Sequence, residues 1–314
     1  MRQPTRLAIV LAFAALYLIW GSTYLGILYA IQSIPPFLMA GTRYLCAGMI
    51  MYVVAILNGE TVADRTTWKG AFIIGGLLLL GGNGAVTISE KWVPTGLAAL
   101  IVATVPIDIT LLGWISGTAP RPKPLIWLGL IGGFIGIGIL IGPALTLASI
   151  EPSNHLGFGM LILLIGSLLW SIGSLYSRRV RHSPSLIMGA SQQMICGGAL
   201  LLLAGFALCE HRGFSINQVT WLSIGGFVYL VLIGAIVGYT SYFYLLRHCA
   251  PTKVATYAYV NPIVAVILGT LFAGEHLTSR TIVAALLIIG SVAIVITAQQ
   301  LSPKSGFPGD AEAA

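Results

Sequence analysis

Two charged side chains, Arg43 and Asp108, lie inside long apolar runs of this sequence. A charge at bilayer depth costs on the order of 2.5 kcal/mol or more, so such residues tend to mark function. Arg43 could hold the anionic group of a ligand or act at a gate, or it could cap backbone carbonyls or reach the membrane interface. Asp108 could carry a proton or face a cationic ligand, or it could form a structural pair with Arg43.

Two apolar segments in opposite halves of the chain share a pattern of prolines. Residues 93–110 read VPTGLAALIVATVPIDIT, and residues 250–270 read APTKVATYAYVNPIVAVILGT. Each segment opens with a proline and carries another in mid-run, Pro106 or Pro262. A mid-run proline frees a backbone carbonyl, which a bilayer tolerates where neighbours or a water-lined cavity satisfy it. We therefore predict helix breaks at Pro106 and Pro262, beside a substrate site.

Aromatic and amide side chains surround these segments in the sequence. Tryptophan and tyrosine also gather at membrane interfaces, but Trp20 and Trp170 stand well inside their apolar runs. Asn83 has glycines nearby on both sides and could line a cavity or bond a neighbouring helix. We predict that a substrate cavity is lined by Trp20, Tyr24, Arg43, Asn83, Asp108, Trp170, Tyr239, Tyr257 and Asn261.

The composition identifies the elements that must position these residues. Of the 314 residues, 57% are hydrophobic and 8% are charged, whereas soluble domains carry about 25% charged residues. Ten apolar runs have about the 20 residues that a membrane helix needs. They lie near 7–30, 36–57, 69–89, 95–117, 124–147, 156–177, 184–208, 219–246, 252–273 and 280–300. We predict an all-α integral membrane protein with ten transmembrane helices.

The ten runs divide into two similar sets of five. Trp20 and Trp170 are 150 positions apart, and so are Cys46 and Cys196. We predict a first repeat over 1–148, a second over 149–300 and a disordered cytoplasmic tail over 301–314. An odd number of helices makes the second repeat enter the membrane from the opposite side. The repeat is therefore inverted, as is typical of alternating-access carriers.

The net charge of +7 follows the predicted membrane topology. With the N-terminus inside, twelve of the 16 lysine and arginine residues fall on the cytoplasmic side. The opposite side holds only Lys91, Arg212 and Arg280, and Arg43 lies within a run. The positive-inside rule then places both termini in the cytoplasm. We take the basic excess as a topology signal and expect no nucleic-acid partner.

The sequence carries none of the short motifs that would indicate an enzyme. There is no HExxH, no GxSxG and no phosphate loop ending in GK[ST], and the cysteines and histidines lack metal-ligand spacing. We predict no enzymatic activity, no cofactor and no metal. An enzyme acting on a lipid-linked substrate would need acidic residues and histidines clustered at a membrane face. A passive facilitator or channel is the main alternative to a transporter.

Two acidic residues follow apolar runs and precede basic ones. Glu90 is next to Lys91, and Glu275 is five positions before Arg280. We expect solvated charges at the interface, because exposed pairs contribute little, although outer-gate pairs are the alternative.

Several segments together resemble one family. They are LIWGSTY (18–24), PPFLMAGTRYLCAG (35–48), the run from 93 to 106, TYAYVNPIVAVILG (256–269) and GEHLT (274–278). The chain resembles the EamA-type branch of the drug/metabolite transporter superfamily from about residue 7 to residue 298. The resemblance implies ten helices in an inverted five-plus-five repeat, and export of small metabolites such as amino acids, or of drugs.

The same resemblance implies the setting. It places the chain in a bacterial inner membrane as a multi-pass protein, with the lipid bilayer and a small-molecule substrate as partners. The oligomeric state would be a monomer or a homodimer. Asp108 departs from the family pattern, because that position is usually uncharged in such proteins.

Overall fold

A computed structural model describes residues 5–60, 64–150, 155–183, 185–249, 254 and 256–300. Within these residues the chain forms ten apolar helices. They are α1 (Arg6–Ala30), α2 (Pro36–Leu57), α3 (Arg65–Ser89), α4 (Thr95–Ile115), α5 (Pro124–Ile150), α6 (Leu156–Ser177), α7 (Leu186–Ala207), α8 (Trp221–His248), α9 (Tyr257–Phe272) and α10 (Ser279–Gln300). The predicted all-α membrane fold is confirmed. The predicted tail, 301–314, lies outside the described residues.

Length and composition allow most of these helices to cross a bilayer. Eight are long and apolar enough, and shorter apolar helices at 124–140 and 260–272 complete the ten. Polar residues start several of them. Thr5, Asp64, Ser185 and Thr220 each occupy an N-cap and accept a hydrogen bond from a backbone N–H in the first turn. These bonds satisfy amides that have no partner within the helix.

Helices α3 and α8 each contain a π-helical segment at a matching place. In α3 it is Gly76–Asn83, and in α8 it is Leu230–Val237. Both segments have eight residues and both are followed by a glycine, Gly84 or Gly238. A π-helical turn widens a helix and is frequent at functional sites. The shared position supports the relation between α3 and α8 in the two repeats.

Helix α4 is interrupted shortly before Pro106. Its first half is Thr95–Val102, and its second half is Val105–Ile115. Pro106 lies in the first turn of the second half, where a missing N–H costs little. Because Pro106 has no N–H, it cannot bond the carbonyl of Val102, and the chain restarts as a new helix.

The predicted break at Pro262 is wrong. Helix α9 is continuous from Tyr257 to Phe272, with Pro262 inside it. The helix begins only five residues earlier, so Pro262 removes a single hydrogen bond, the one to the carbonyl of Ala258. One lost bond in the second turn is compatible with a continuous helix. The preceding residues 250–253 and 255 lie outside the described part of the chain.

Glycines bring the two repeats into close contact. A Cβ atom at Gly198 of α7 would lie 2.7 Å from the backbone N of Leu45 in α2. One at Gly48 of α2 would lie 2.9 Å from the backbone N of Ile195. These two helices therefore pack antiparallel at the closest separation that backbones allow.

Other helix pairs also join one repeat to the other. Gly82 of α3 packs against Trp170 of α6, and Gly96 of α4 packs against Val266 of α9. Gly129 of α5 faces the backbone of Ser291 in α10. Helices α5 and α10 thus form a packed pair, in keeping with the scaffold role that their plain apolar sequences indicate.

Candidate functional site

A cavity of about 860 Å³, a volume that includes its opening, lies between the repeats. Seven helices line it: α1, α2, α3 and α4 from the first half of the chain, and α6, α8 and α9 from the second half. The interruption of α4 borders it, since Val102, Ala103 and Val105 are all lining residues.

The structure brings together eight of the nine predicted cavity residues. The lining includes Trp20, Tyr24, Arg43, Asn83, Trp170, Tyr239, Tyr257 and Asn261, and also Pro262. Asp108 and Pro106 are not among the lining residues. Contact of these side chains with a substrate stays a prediction.

Aromatic rings form one wall of the cavity. The ring centroid of Trp20 lies 5.3 Å from that of Tyr239 and 5.2 Å from that of Tyr257, both edge to face. Such geometry is favourable for aromatic pairs and fixes the orientation of each ring. The wall therefore offers a rigid apolar surface to a ligand.

Arg43 brings a positive charge to this cavity. The residue is only 3% exposed, yet its Nε and Nη1 atoms have no hydrogen-bond partner within the described part of the chain. Its guanidinium carbon lies 4.6 Å from the ring centroid of Tyr44, another lining residue. A cation–π contact supplies part of the lost hydration. Unbonded guanidinium nitrogens beside a cavity are suited to a ligand carboxylate, which accepts charge-assisted hydrogen bonds.

Ser167 is a polar lining residue that sequence reasoning missed. It is 3% exposed, and its Oγ has no partner among the described residues. It lies one helical turn before Trp170, so both side chains fall on the same face of α6. The spacing to Trp170 was the only available signal, and serines are too common in membrane helices for it to decide.

Asn261 joins two helices at the edge of the cavity. With its amide nitrogen in the donating orientation, that atom lies 3.2 Å from the carbonyl oxygen of Tyr257 and 3.1 Å from that of Tyr17. The first bond stays within α9 and the second reaches α1. Asn261 therefore positions the cavity wall in addition to bordering the cavity.

Asp108 does not form the structural pair that was considered for it. No ion pair joins it to Arg43 among the described residues, and it is half-buried in the first turn after the interruption of α4. The charge of Arg43 is thus left for another partner. A role for Asp108 in carrying a proton stays a prediction.

The expectation of solvated charges is wrong for Glu90. This residue follows the end of α3, one turn after the lining residue Val86, and is 4% exposed. Neither of its carboxylate oxygens has a hydrogen-bond partner in the described residues. Burial raises the pKa of the Glu90 carboxyl well above its ordinary value, nearby Glu275 raises it further, and Arg43 lowers it. The sequence suggested exposure because Glu90 is next to Lys91, but only Lys91 faces outward.

Glu275 is likewise bound within the protein. Its carboxylate accepts hydrogen bonds from the backbone N–H groups of Thr95 and Gly96 and from the Thr95 hydroxyl. It therefore caps the start of α4 from a position after α9. The alternative outer-gate pair of Glu275 with Arg280 is not found among the described residues.

Comparison with known proteins identifies the family. The EamA-like transporter family matches the chain twice, over residues 6–142 and 157–297. An inner membrane transporter of Escherichia coli K12, YedA, is 36% identical over 308 residues, which cover 96% of this chain and 95% of that protein. That relative is named as an uncharacterized transporter.

More distant relatives match the chain over a similar share of its length. A Salmonella typhimurium protein named as a probable amino-acid metabolite efflux pump is 23% identical, over 88% of this chain and 90% of that protein. A crystal structure with 18% sequence identity and a TM-score of 0.61 covers 95% of this chain and 100% of its own, and it shows the shared fold. With two family matches that together span most of its length, the chain belongs to the EamA-like transporter family.

Proposed function

We propose that this protein is a secondary transporter that binds a small metabolite with a carboxylate group, such as an amino acid or a related compound. The observation that carries the proposal is Arg43, a buried guanidinium with unbonded nitrogens beside a cavity between the repeats. A buried charge without a partner costs several kcal/mol, and an anionic ligand would offset that cost. A cationic drug would add to the positive charge, so we favour metabolites over such drugs.

The substrate would cross by alternating access. In an inverted-repeat carrier, the two halves rock around a fixed site near the middle of the membrane. The cavity lies between helices of both repeats, as this mechanism needs. The family and the names of the relatives describe transporters, and we propose that no covalent chemistry takes place. The proposed direction is export across the inner membrane, with both termini in the cytoplasm.

Efflux from cells tests this function. Cells that express the protein are loaded with labelled amino acids or with cationic dyes, and efflux is followed with and without a proton gradient. We expect saturable efflux of one or more amino acids and none of the dyes. Efflux that rises linearly with load and shows no counterflow would indicate a passive channel instead.

The same assay examines Asp108. Because Asp108 does not line the cavity, we expect Asp108→Asn to leave the half-saturating substrate concentration within about twofold, or 0.4 kcal/mol, of the wild type. If Asp108 carries the coupling proton, the variant loses the gradient dependence of efflux. If efflux by Asp108→Asn depends on the gradient as in the wild type, Asp108 has a structural role instead.

A further inference from the structure

Two helix ends, 150 positions apart, have the same backbone structure. After α2, the N–H of Glu60 bonds the carbonyl of Ala55 at 3.1 Å. After α7, the N–H of Glu210 bonds the carbonyl of Gly205 at 2.9 Å. The preceding residue has a positive φ in each case, 76° at Gly59 and 59° at Cys209. A cysteine rarely adopts this conformation, so the second repeat keeps the shape of a glycine turn without its glycine.

Glu210 uses this turn to contact the other repeat. Its carboxylate accepts hydrogen bonds from the backbone N–H groups of Phe37 (3.3 Å) and Leu38 (3.0 Å). These amides belong to the first turn of α2, where Pro35 provides no side-chain cap. A carboxylate at a helix N-terminus satisfies the free amides and the positive end of the helix dipole.

Glu275 makes an equivalent contact at the start of α4. Helices α2 and α4 begin at the same side of the membrane, which we call the Glu210 face. Both carboxylates come from the second repeat and both capped helices belong to the first. Two carboxylate contacts therefore join the repeats at the Glu210 face.

On the opposite side of the membrane, which we call the Glu60 face, the equivalent carboxylate and the equivalent helix start are present. The hydrogen bonds between them are not found among the described residues. Shifted by 150 positions, Phe37 and Leu38 become Ile187 and Met188 at the start of α7. Gly205 packs against Phe37 and Leu38, and Gly48 packs against Ile195. Continuing this antiparallel register brings the end of α2 toward the first turn of α7, and from the repeat we infer that Glu60 is the carboxylate nearest these amides.

Glu60 is not bonded as Glu210 is. Its Oε2 atom is buried and has no hydrogen-bond partner in the described residues. The N–H of Met188 is bonded instead to the hydroxyl of Ser185, at 3.2 Å. The repeat thus has two equivalent carboxylates, one engaged and one disengaged.

We propose that Glu60 and Glu210 are alternating latches. When the contacts on the Glu210 face open, Glu60 moves onto the first turn of α7 and closes the Glu60 face. The inference rests on the proposed alternating access, and it adds the residues that hold each closed state.

The two faces differ in the number of latches. The position that corresponds to Glu275 in the first repeat, 157 residues earlier, is Thr118. Its hydroxyl lies 3.1 Å from the carbonyl of Gly113 and 2.9 Å from the hydroxyl of Ser116. The second repeat therefore supplies two carboxylates and the first, in its described residues, supplies one. In this structure the carboxylates of Glu210 and Glu275 are both bonded, on the Glu210 face.

The test measures access to the cavity from each side of the membrane. The four native cysteines are replaced in the full-length chain, with Cys209→Gly chosen to match Gly59, and Val86→Cys is added as a reporter in the cavity. A membrane-impermeant maleimide is then applied to right-side-out and inside-out vesicles. The reporter needs no substrate, so the result is independent of transport.

Removal of each latch is expected to open its own face. Glu210→Gln should raise labelling from the Glu210 face at least twofold, and Glu275→Gln should do the same. Added to Glu210→Gln, which favours the state closed on the Glu60 face, Glu60→Gln should raise labelling from the Glu60 face. The matched control is Asp64→Asn, since Asp64 caps α3 within its own repeat and on the Glu60 face. We expect this control to leave labelling from both faces unchanged.

Two results would overturn the proposal. One is that Glu60→Gln, added to Glu210→Gln, changes labelling no more than Asp64→Asn does, while Glu210→Gln opens its face. The other is that Glu60→Gln and Glu210→Gln open the same face. Retained counterflow with either result would leave the transporter function standing and remove only the latches.

A disulfide crosslink tests the same inference in case the glutamine variants fold poorly. Glu60→Cys with Ile187→Cys, in the same cysteine-free chain, should form a disulfide more rapidly when Glu210→Gln is added. An unchanged or slower rate would contradict the inference.

Discussion

At the scale of single residues, Arg43 combines a cost in stability with the role in recognition that we propose for it. A guanidinium that is buried and only partly bonded loses hydration without full compensation. A protein keeps such a residue where a ligand completes its contacts. The same reasoning covers Ser167, whose hydroxyl borders the cavity without a partner among the described residues.

Replacement of Arg43 by an apolar residue separates these two properties. We expect Arg43→Met to raise the free energy of unfolding by on the order of 1 kcal/mol, because the buried charge is removed and the side-chain volume is largely kept. The variant should lose transport. Thermal unfolding of the detergent-purified protein measures the first effect. A lower unfolding temperature for Arg43→Met would show that the guanidinium is bonded within the protein.

Glu90 predicts a dependence of stability on pH. Burial raises the pKa of its carboxyl in the folded protein, so its protonated form favours folding. That contribution is complete below the pKa of the unfolded state and is lost as pH rises toward the folded pKa. We expect Glu90→Gln and the wild type to unfold at similar temperatures near pH 4, and the variant to be more stable at pH 8.

The control for this comparison is Glu60→Gln. Glu60 also carries a carboxylate oxygen without a partner in the described residues, but it is only half-buried. A stability difference between Glu90→Gln and the wild type that stays constant from pH 4 to pH 8 would contradict the assignment.

Sequence reasoning reached most of the cavity at this scale. Trp20 and Trp170 could be predicted because they stand in mid-span, away from the membrane interfaces where tryptophan usually gathers. The failure at Glu90 has a physical reason. Position relative to a helix end indicates depth in the membrane, but it does not tell whether a side chain faces lipid, water or another helix.

At the scale of helices, close contact between the repeats depends on glycine. Gly198 of α7 has the backbone of α2 at 2.7–2.9 Å from where a Cβ atom would lie. Backbone cannot yield as the end of a side chain can, so an added methyl group must push the helices apart.

A single methyl group tests this contact. We expect Gly198→Ala to lower the free energy of unfolding by about 1–3 kcal/mol. Gly225→Ala is the matched control, since nothing lies within 4 Å of its added Cβ and alanine favours a helix. The two variants are compared by thermal unfolding. Equal unfolding temperatures would mean that α2 and α7 are not held at this distance.

The two prolines show what a sequence pattern can decide about helices. Pro106 and Pro262 occupy similar places in the repeats, but only α4 is interrupted. The effect of a proline depends on how much helix precedes it. Pro106 follows a helical half that ends at Val102, whereas Pro262 comes early in a helix that starts at Tyr257. The π-helical segments of α3 and α8 were not predictable, because their residues are almost all apolar and show no hydrophobic period.

At the scale of the whole molecule, an internal repeat gives two similar halves different roles. The ten-helix count and the 150-residue offset could be read from the sequence because apolar length and matched residues report them directly. The engaged and disengaged carboxylates could not, because Glu60 and Glu210 differ in their hydrogen bonds and not in their type.

Transport of matched acids and amides tests the central claim most directly. Counterflow of a labelled amino acid is measured in proteoliposomes, with an excess of the unlabelled acid or of its carboxamide as competitor. The account predicts that, for wild-type protein, the acid competes at least tenfold better than the amide, a difference of about 1.4 kcal/mol. It also predicts that Arg43→Lys weakens this preference, because lysine presents a point charge in place of the planar guanidinium. Equal competition by acid and amide in the wild type would contradict the assignment of Arg43 as the substrate's anion site.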